Sequence, residues 1–324
     1  MMLGDPPTDR EPTRYVKFAW RDLSNLPPIG KLDYAPKRPQ AFRIFQEGEF
    51  EGRHTHVLPA IKRREVLPAL GRCVYCRRQQ DACGRRLNLT SEHVIPEFLG
   101  AGLELAASSC FDCQRTTSDF ESSIAASMFG PVRRALVLKG KGGILERTNF
   151  PLDIGREISR REFIPLRHYP TILVMPNLYP ASSYSRRSPH SDDLFNFQVF
   201  NVNAEPKYLR QYDLEGFSSQ SIDLVRFCQM IAKIAVVYGT HYFGFDTFNP
   251  TVVDFVRTDF PPGNPATGHF ANVGCLWRRK RLATESLHEI EVGEMRWQGK
   301  TMAAVRVQLF ASYGMPSYYV TIGE

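Results

Sequence analysis

Four cysteines in two C-x2-C pairs, Cys73 with Cys76 and Cys110 with Cys113, carry the most definite chemistry in this chain. Each pair can form a tight turn that aims two sulfurs at one point, and two such pairs supply four thiolates to one tetrahedral Zn2+. Such a site is closed, with no position left for substrate, so its role is to hold a fold together. Between the pairs lies Ser91-Glu92-His93-Val94-Ile95-Pro96, which sets an acid beside a histidine. A histidine with a pKa near about 6.5 is largely neutral at cellular pH and can accept a proton.

The elements that must position these residues can be read around them. Leu87-Asn88-Leu89-Thr90 leads into Glu92 and His93 as a strand, and the apolar residues from Leu103 to Leu105 suggest a second, short one. After Cys113, Phe120, Ile124 and Met128 recur every four residues, so the spacing predicts a helix that Gly130-Pro131 stops. Strand, strand and helix inside one zinc clip make a ββα-metal unit. Adjacent strand residues point to opposite faces, so Glu92 and His93 can serve one site only if the strand ends or bends there, which Pro96 and the following loop permit.

The segments CVYC, LTSEHVIPEFLGA, LAASSCFDC and TTSDFESSIAASMFGPVRRAL, in this order, resemble the zinc-ribbon form of the HNH endonucleases over about Arg72 to Leu138. The resemblance implies that His93 is a general base activating water for phosphodiester hydrolysis. It also implies that Glu92 ligates a catalytic Mg2+ or Mn2+, ions that suit carboxylate and phosphate oxygens. Many members have asparagine where Ala107 stands here, and asparagine or histidine as the second metal ligand where Gln114 stands. Gln114 and, further along the helix, Glu121 are the candidates for that second ligand. The expected substrate is nucleic acid, DNA being the family's usual one. The alternative is a zinc-ribbon nucleic-acid-binding or scaffold protein whose HNH site has decayed, and Ala107 and Gln114 favour it.

Charge points to the same class of partner. The net charge is +7 with a pI near 9.0, and the basic residues come in groups. Arg77-Arg78 and Arg85-Arg86 lie within the clip and Arg133-Arg134 follow the helix, positions from which they could hold backbone phosphates, releasing counterions. Lys62-Arg63-Arg64, Arg160-Arg161 and Arg278-Arg279-Lys280-Arg281 are further groups. Seven cysteines, four of them paired by spacing, fit a reducing compartment better than a disulfide framework; Cys83, Cys228 and Cys275 read as ordinary thiols. The sequence opens without a basic start or an apolar segment, and its best apolar run, Met230 to Tyr238, is short and broken by Lys233. It therefore reads as a cytoplasmic protein with no membrane span.

The fold class expected is α+β: the HNH unit in its zinc clip, then a mixed helix and antiparallel-sheet domain. Residues 1–14 read as disordered, 15–71 as an irregular lead-in, 72–140 as the zinc-ribbon domain and 141–324 as a C-terminal α+β domain. His54 and His56 alternate on one face of a strand and read as surface residues. In the C-terminal part, Ser221 is the expected cap of a helix running to Tyr238. The last strands, around Glu289 to Val292, Ala304 to Phe310 and Tyr318 to Ile322, read as an antiparallel meander. His241, His269 and His288 read as structural or surface residues.

Overall fold

The structure is a computed structural model that describes residues 17–19, 30–32, 46–59, 64–100, 102–138, 149–154, 160–187, 194–212, 216–218, 222–260, 271–276 and 285–324. It is mixed α and antiparallel β, with one short parallel pairing. The expected disordered segment 1–14, the glycine-rich break Gly140 to Gly143, Ser221, His269 and the Arg278 to Arg281 group lie outside the described residues.

Strand β1 (Glu49–Leu58) is followed by β2 (Glu65–Leu67), β3 (Leu89–His93) and β4 (Leu103–Cys110), and then by helix α1 (Phe111–Ser127) and the short helix α2 (Gly130–Ala135). β4 is the centre of a small sheet, with β3 antiparallel on one side and β2 parallel on the other. The apolar stripe read from the sequence faces inward: Phe120 and Ile124 of α1 are buried, along with Cys113 and Thr117. Pro131 stands in the first turn of α2, where a missing N–H costs nothing. Two expectations here need correction. β4 runs to Cys110 rather than ending at Leu105, and α1 begins at Phe111, so the second cysteine pair straddles the strand-to-helix junction.

Further on, β5 (Thr171–Leu178) pairs antiparallel with β6 (Leu194–Asn203). Helix α3 (Leu224–Phe243) is buried continuously from Phe227 to Thr240, because it lies between α1 of the cysteine-pair segment on one side and a sheet on the other. Asp223, not Ser221, caps it by accepting from the Arg226 N–H. The sheet is the expected meander of β7 (His288–Trp297), β8 (Lys300–Leu309) and β9 (Ser317–Gly323), all antiparallel. Its edge beside β7 is taken by β1, which comes from the segment read as an irregular lead-in. One continuous apolar core runs through the cysteine-pair segment, α3 and the sheet. No helix among the described residues is long and apolar enough to cross a membrane.

Candidate functional site

The four cysteines converge. Their sulfurs all lie within 4.8 Å of one another, and Cys73, Cys110 and Cys113 are buried. A tetrahedral zinc with Zn–S bonds of about 2.3 Å sets its sulfurs roughly 3.8 Å apart; Cys76 Sγ and Cys110 Sγ stand 3.7 Å apart. The donor set therefore fits Zn2+. The first pair is held in its turn by the Arg77 N–H donating to the Cys73 carbonyl and by Arg77 adopting a left-handed φ of 59°. The second is fixed because Cys110 is the N-cap of α1 and Cys113 lies in its first turn. Crowding of thiols shows in their acidity. Sharing with Cys113 lowers Cys73 to about 5, while the same sharing and burial push Cys113 far up. Arg78 donates from Nε to Cys76 Sγ at 3.5 Å and places positive charge beside the cluster.

Glu92 and His93 lie at the end of β3 and face opposite ways, as strand alternation demands. Glu92 is buried and points inward to Lys233 of α3, whose ammonium lies 2.9 Å from Glu92 Oε1 and 3.0 Å from Glu121 Oε1. The same ammonium donates to the His93 carbonyl oxygen. Burial opposes charge on Lys233, but Glu121 and Glu92 outweigh it and hold its pKa above the ordinary lysine value. Burial raises Glu121, and Lys233 only partly offsets this. Tyr75 completes the cluster. Its hydroxyl is buried, and burial followed by the charges of Glu92 and Glu121 raises it well above the usual phenol value. Neither the Tyr75 hydroxyl nor Glu92 Oε2 has a hydrogen-bond partner among the described residues.

His93 turns the other way and is 37% exposed. Glu97 Oε2 lies 3.7 Å from its Nε2, and Glu104 Oε1, from the facing position of β4, lies 3.8 Å from its Nδ1. Glu104 is also bound by Arg64, at 3.3 Å from Nε. Burial, then the Lys233 charge, lowers the His93 pKa below the ordinary histidine value against the pull of Glu104 and Glu97. The ring is therefore neutral near pH 7, with one nitrogen able to take a proton.

The structure thus brings Glu92 and Glu121 together, on a lysine, and separates both from the imidazole of His93. Gln114 is placed elsewhere, its side-chain carbonyl accepting from the Thr90 hydroxyl at 3.0 Å. Ala107 adopts a φ of +40° in an irregular stretch of β4, where the register shifts so that Thr90 faces Ser109 but Glu92 faces Leu105.

The arginines read as phosphate contacts are largely engaged with the chain itself. Arg77 donates to the Phe248 carbonyl and stacks over Phe245 and Phe248. Arg133 lies over Phe98 and Arg134 over Phe150. Arg78 faces Asp112, and Arg85 pairs with Asp81 while remaining 79% exposed. Arg86 is exposed. His54 and His56 sit on β1 and pack on Tyr242 and Tyr238.

A divalent ion does not fit the Glu92 and Glu121 pair as it stands. Mg2+ needs oxygens at about 2.0–2.1 Å in octahedral geometry, and an ammonium already occupies the space between these two. Lys233 is the residue that sequence reading missed. The signal was present: a single lysine in an otherwise apolar buried run must find charged partners somewhere in the fold. The chain matches no protein-family model, and no curated protein or solved structure matches it.

Proposed function

We propose that this chain is a nuclease of the zinc-ribbon HNH type, hydrolysing phosphodiester bonds of nucleic acid, with DNA the expected substrate. β3, β4 and α1 would be its ββα-metal unit, with the zinc clip holding the hairpin against the helix. The observation that carries the reading is His93: a neutral, half-exposed imidazole at a strand end, flanked by two carboxylates and carried by the hairpin that also supplies Cys110 to the four-cysteine cluster.

In this reading His93 takes a proton from the attacking water, and the Glu104 carboxylate, 3.8 Å from Nδ1, stabilises by its charge the imidazolium that forms. Arg78, Arg85 and Arg86 are the exposed members of the three arginine pairs around the clip and would hold phosphates flanking the scissile one. No step is assigned to a Mg2+ or Mn2+ on Glu92 and Glu121, since those oxygens already hold an ammonium.

That last point favours a second reading, a zinc-ribbon nucleic-acid-binding or scaffold protein without catalysis. Zinc-loaded protein incubated with plasmid, with and without added Mg2+ or Mn2+, beside its His93→Ala variant, separates the two. The nuclease reading expects nicking or linearisation by the unaltered protein only. Equal inactivity of both proteins, with plasmid binding retained, would establish the scaffold reading.

A further inference from the structure

We infer that Lys233 is a built-in cation that closes the Glu92 and Glu121 pair to divalent metal ions, so that this acidic pair beside the zinc clip binds an ammonium in place of a metal. The inference stands on the buried ion cluster and holds whether or not the chain cleaves nucleic acid.

Two carboxylates brought together on separate elements, one at a strand end and one on a helix, would ordinarily be a candidate cation site. Here the cation is covalent. Lys233 extends from the middle of α3, is fully buried, and is surrounded by three oxygens: Glu92 Oε1, Glu121 Oε1 and the backbone carbonyl of His93. The ammonium donates to the His93 carbonyl and is ion-paired with both carboxylates, so two negative groups already face its one positive charge. A metal would have to use the same carboxylates, and it would stand within a few ångströms of a positive charge that burial prevents water from screening. Neither ion could leave by a small shift. The lysine backbone is fixed in a helix buried from Phe227 to Thr240, and Glu92 is covered by Tyr75 and the core.

The neighbouring groups are consistent with an internal ion pair. Glu121 is held above the usual carboxylate value by burial, which Lys233 only partly offsets. A proton shared with Glu121 would leave one carboxylate against one ammonium. Such a cluster is electrically complete without a metal.

The test is uptake of Mn2+ by the zinc-loaded full chain, followed by electron paramagnetic resonance of free and bound ion. Four proteins are compared: the unaltered chain, Glu92→Gln, Lys233→Ala and the double variant Lys233→Ala with Glu92→Gln. Mn2+ uptake should be the same in the unaltered chain and Glu92→Gln. Lys233→Ala should bind one ion at least about tenfold more tightly, since two carboxylates are left without their cation, and the double variant should lose it again. Mn2+ held by the unaltered chain and released by Glu92→Gln overturns the inference. So does a folded, zinc-bound Lys233→Ala protein with no gain in Mn2+ affinity. Where Lys233→Ala does not fold, the first two proteins decide the matter alone, with Glu121→Gln repeating the comparison from the helix side.

Discussion

His288 and Leu99 are joined by a 3.0 Å hydrogen bond between the imidazole Nε2 and the backbone carbonyl, which ties the first residue of β7 to the turn that follows His93. The other ring nitrogen, Nδ1, accepts from the Phe310 N–H at 3.1 Å. The neutral ring must therefore carry its proton on Nε2 and donate it to Leu99. Protonating Nδ1 would break the bond to Phe310 and bury a charge.

Burial accordingly lowers the His288 pKa from 6.5 to about 4. Between those values the unfolded chain binds the proton and the folded one does not. The contribution to stability is thus full above about pH 6.5 and is lost as pH falls towards 4. Urea unfolding at pH 7 and pH 5 should show a loss in the unaltered protein about 2 kcal/mol larger than in His288→Gln. A His288 ring that titrates near its ordinary value by NMR would sink this account.

Zinc is the second test. Cys73→Ser removes one of four converging sulfurs and should abolish stoichiometric zinc while unfolding the segment from β3 to α1. Structural zinc contributes on the order of 10–16 kcal/mol of apparent binding energy in small zinc peptides. Cys83→Ser, at an exposed thiol outside the cluster, should change neither zinc content nor amide exchange in this segment. Metal analysis and hydrogen exchange read both, and full zinc in Cys73→Ser would count against the site.

The depressed pKa of His93 makes a prediction about rate. If His93 is the base, it must be neutral to act, and a lowered pKa keeps it neutral at lower pH. The acid limb of the cleavage profile should then lie below the pH at which an ordinary histidine titrates, and Lys233 contributes to that shift through its charge. A limb at or above about pH 6.5 would contradict the assignment of His93.

How far the sequence could lead differs from residue to residue. The cysteine pairs were legible because their spacing is a local geometric requirement, and Phe120 and Ile124 because a helix repeats its buried face within a few residues. Asp223 was missed as the cap of α3 because Ser221 and Asp223 are both good caps and only the folded backbone chooses between them. The pairing of β1 with β7 and the contacts of Lys233 with Glu92 and Glu121 join residues far apart in the chain, which periodicity cannot report. The arginine pairs were legible as charge but not as contacts, since a guanidinium serves a phenylalanine face as well as a phosphate.

Ala107 offers a stabilising substitution. Its φ of +40° places an L-residue with a side chain in left-handed territory, which costs roughly 1–2 kcal/mol and which asparagine tolerates better. Ala107→Asn should raise the unfolding free energy by about 0.5–1 kcal/mol. A lower denaturation midpoint for Ala107→Asn would show that the irregular stretch of β4 is not strained at this residue.

Lys233→Met should be among the most destabilising single changes in the chain. It leaves Glu92 and Glu121 facing each other in the core without their cation, and breaking a buried ion pair from one side costs about 3–5 kcal/mol. The cost arises from the charges left behind more than from the lost attraction. Replacing all three residues, Lys233→Met with Glu92→Met and Glu121→Met, should therefore recover more than half of the loss, because no buried charge remains to be solvated. Equilibrium unfolding of the single and triple variants, both zinc-loaded, measures this directly. A triple variant less stable than Lys233→Met alone would mean that the carboxylates support the fold through contacts other than the lysine.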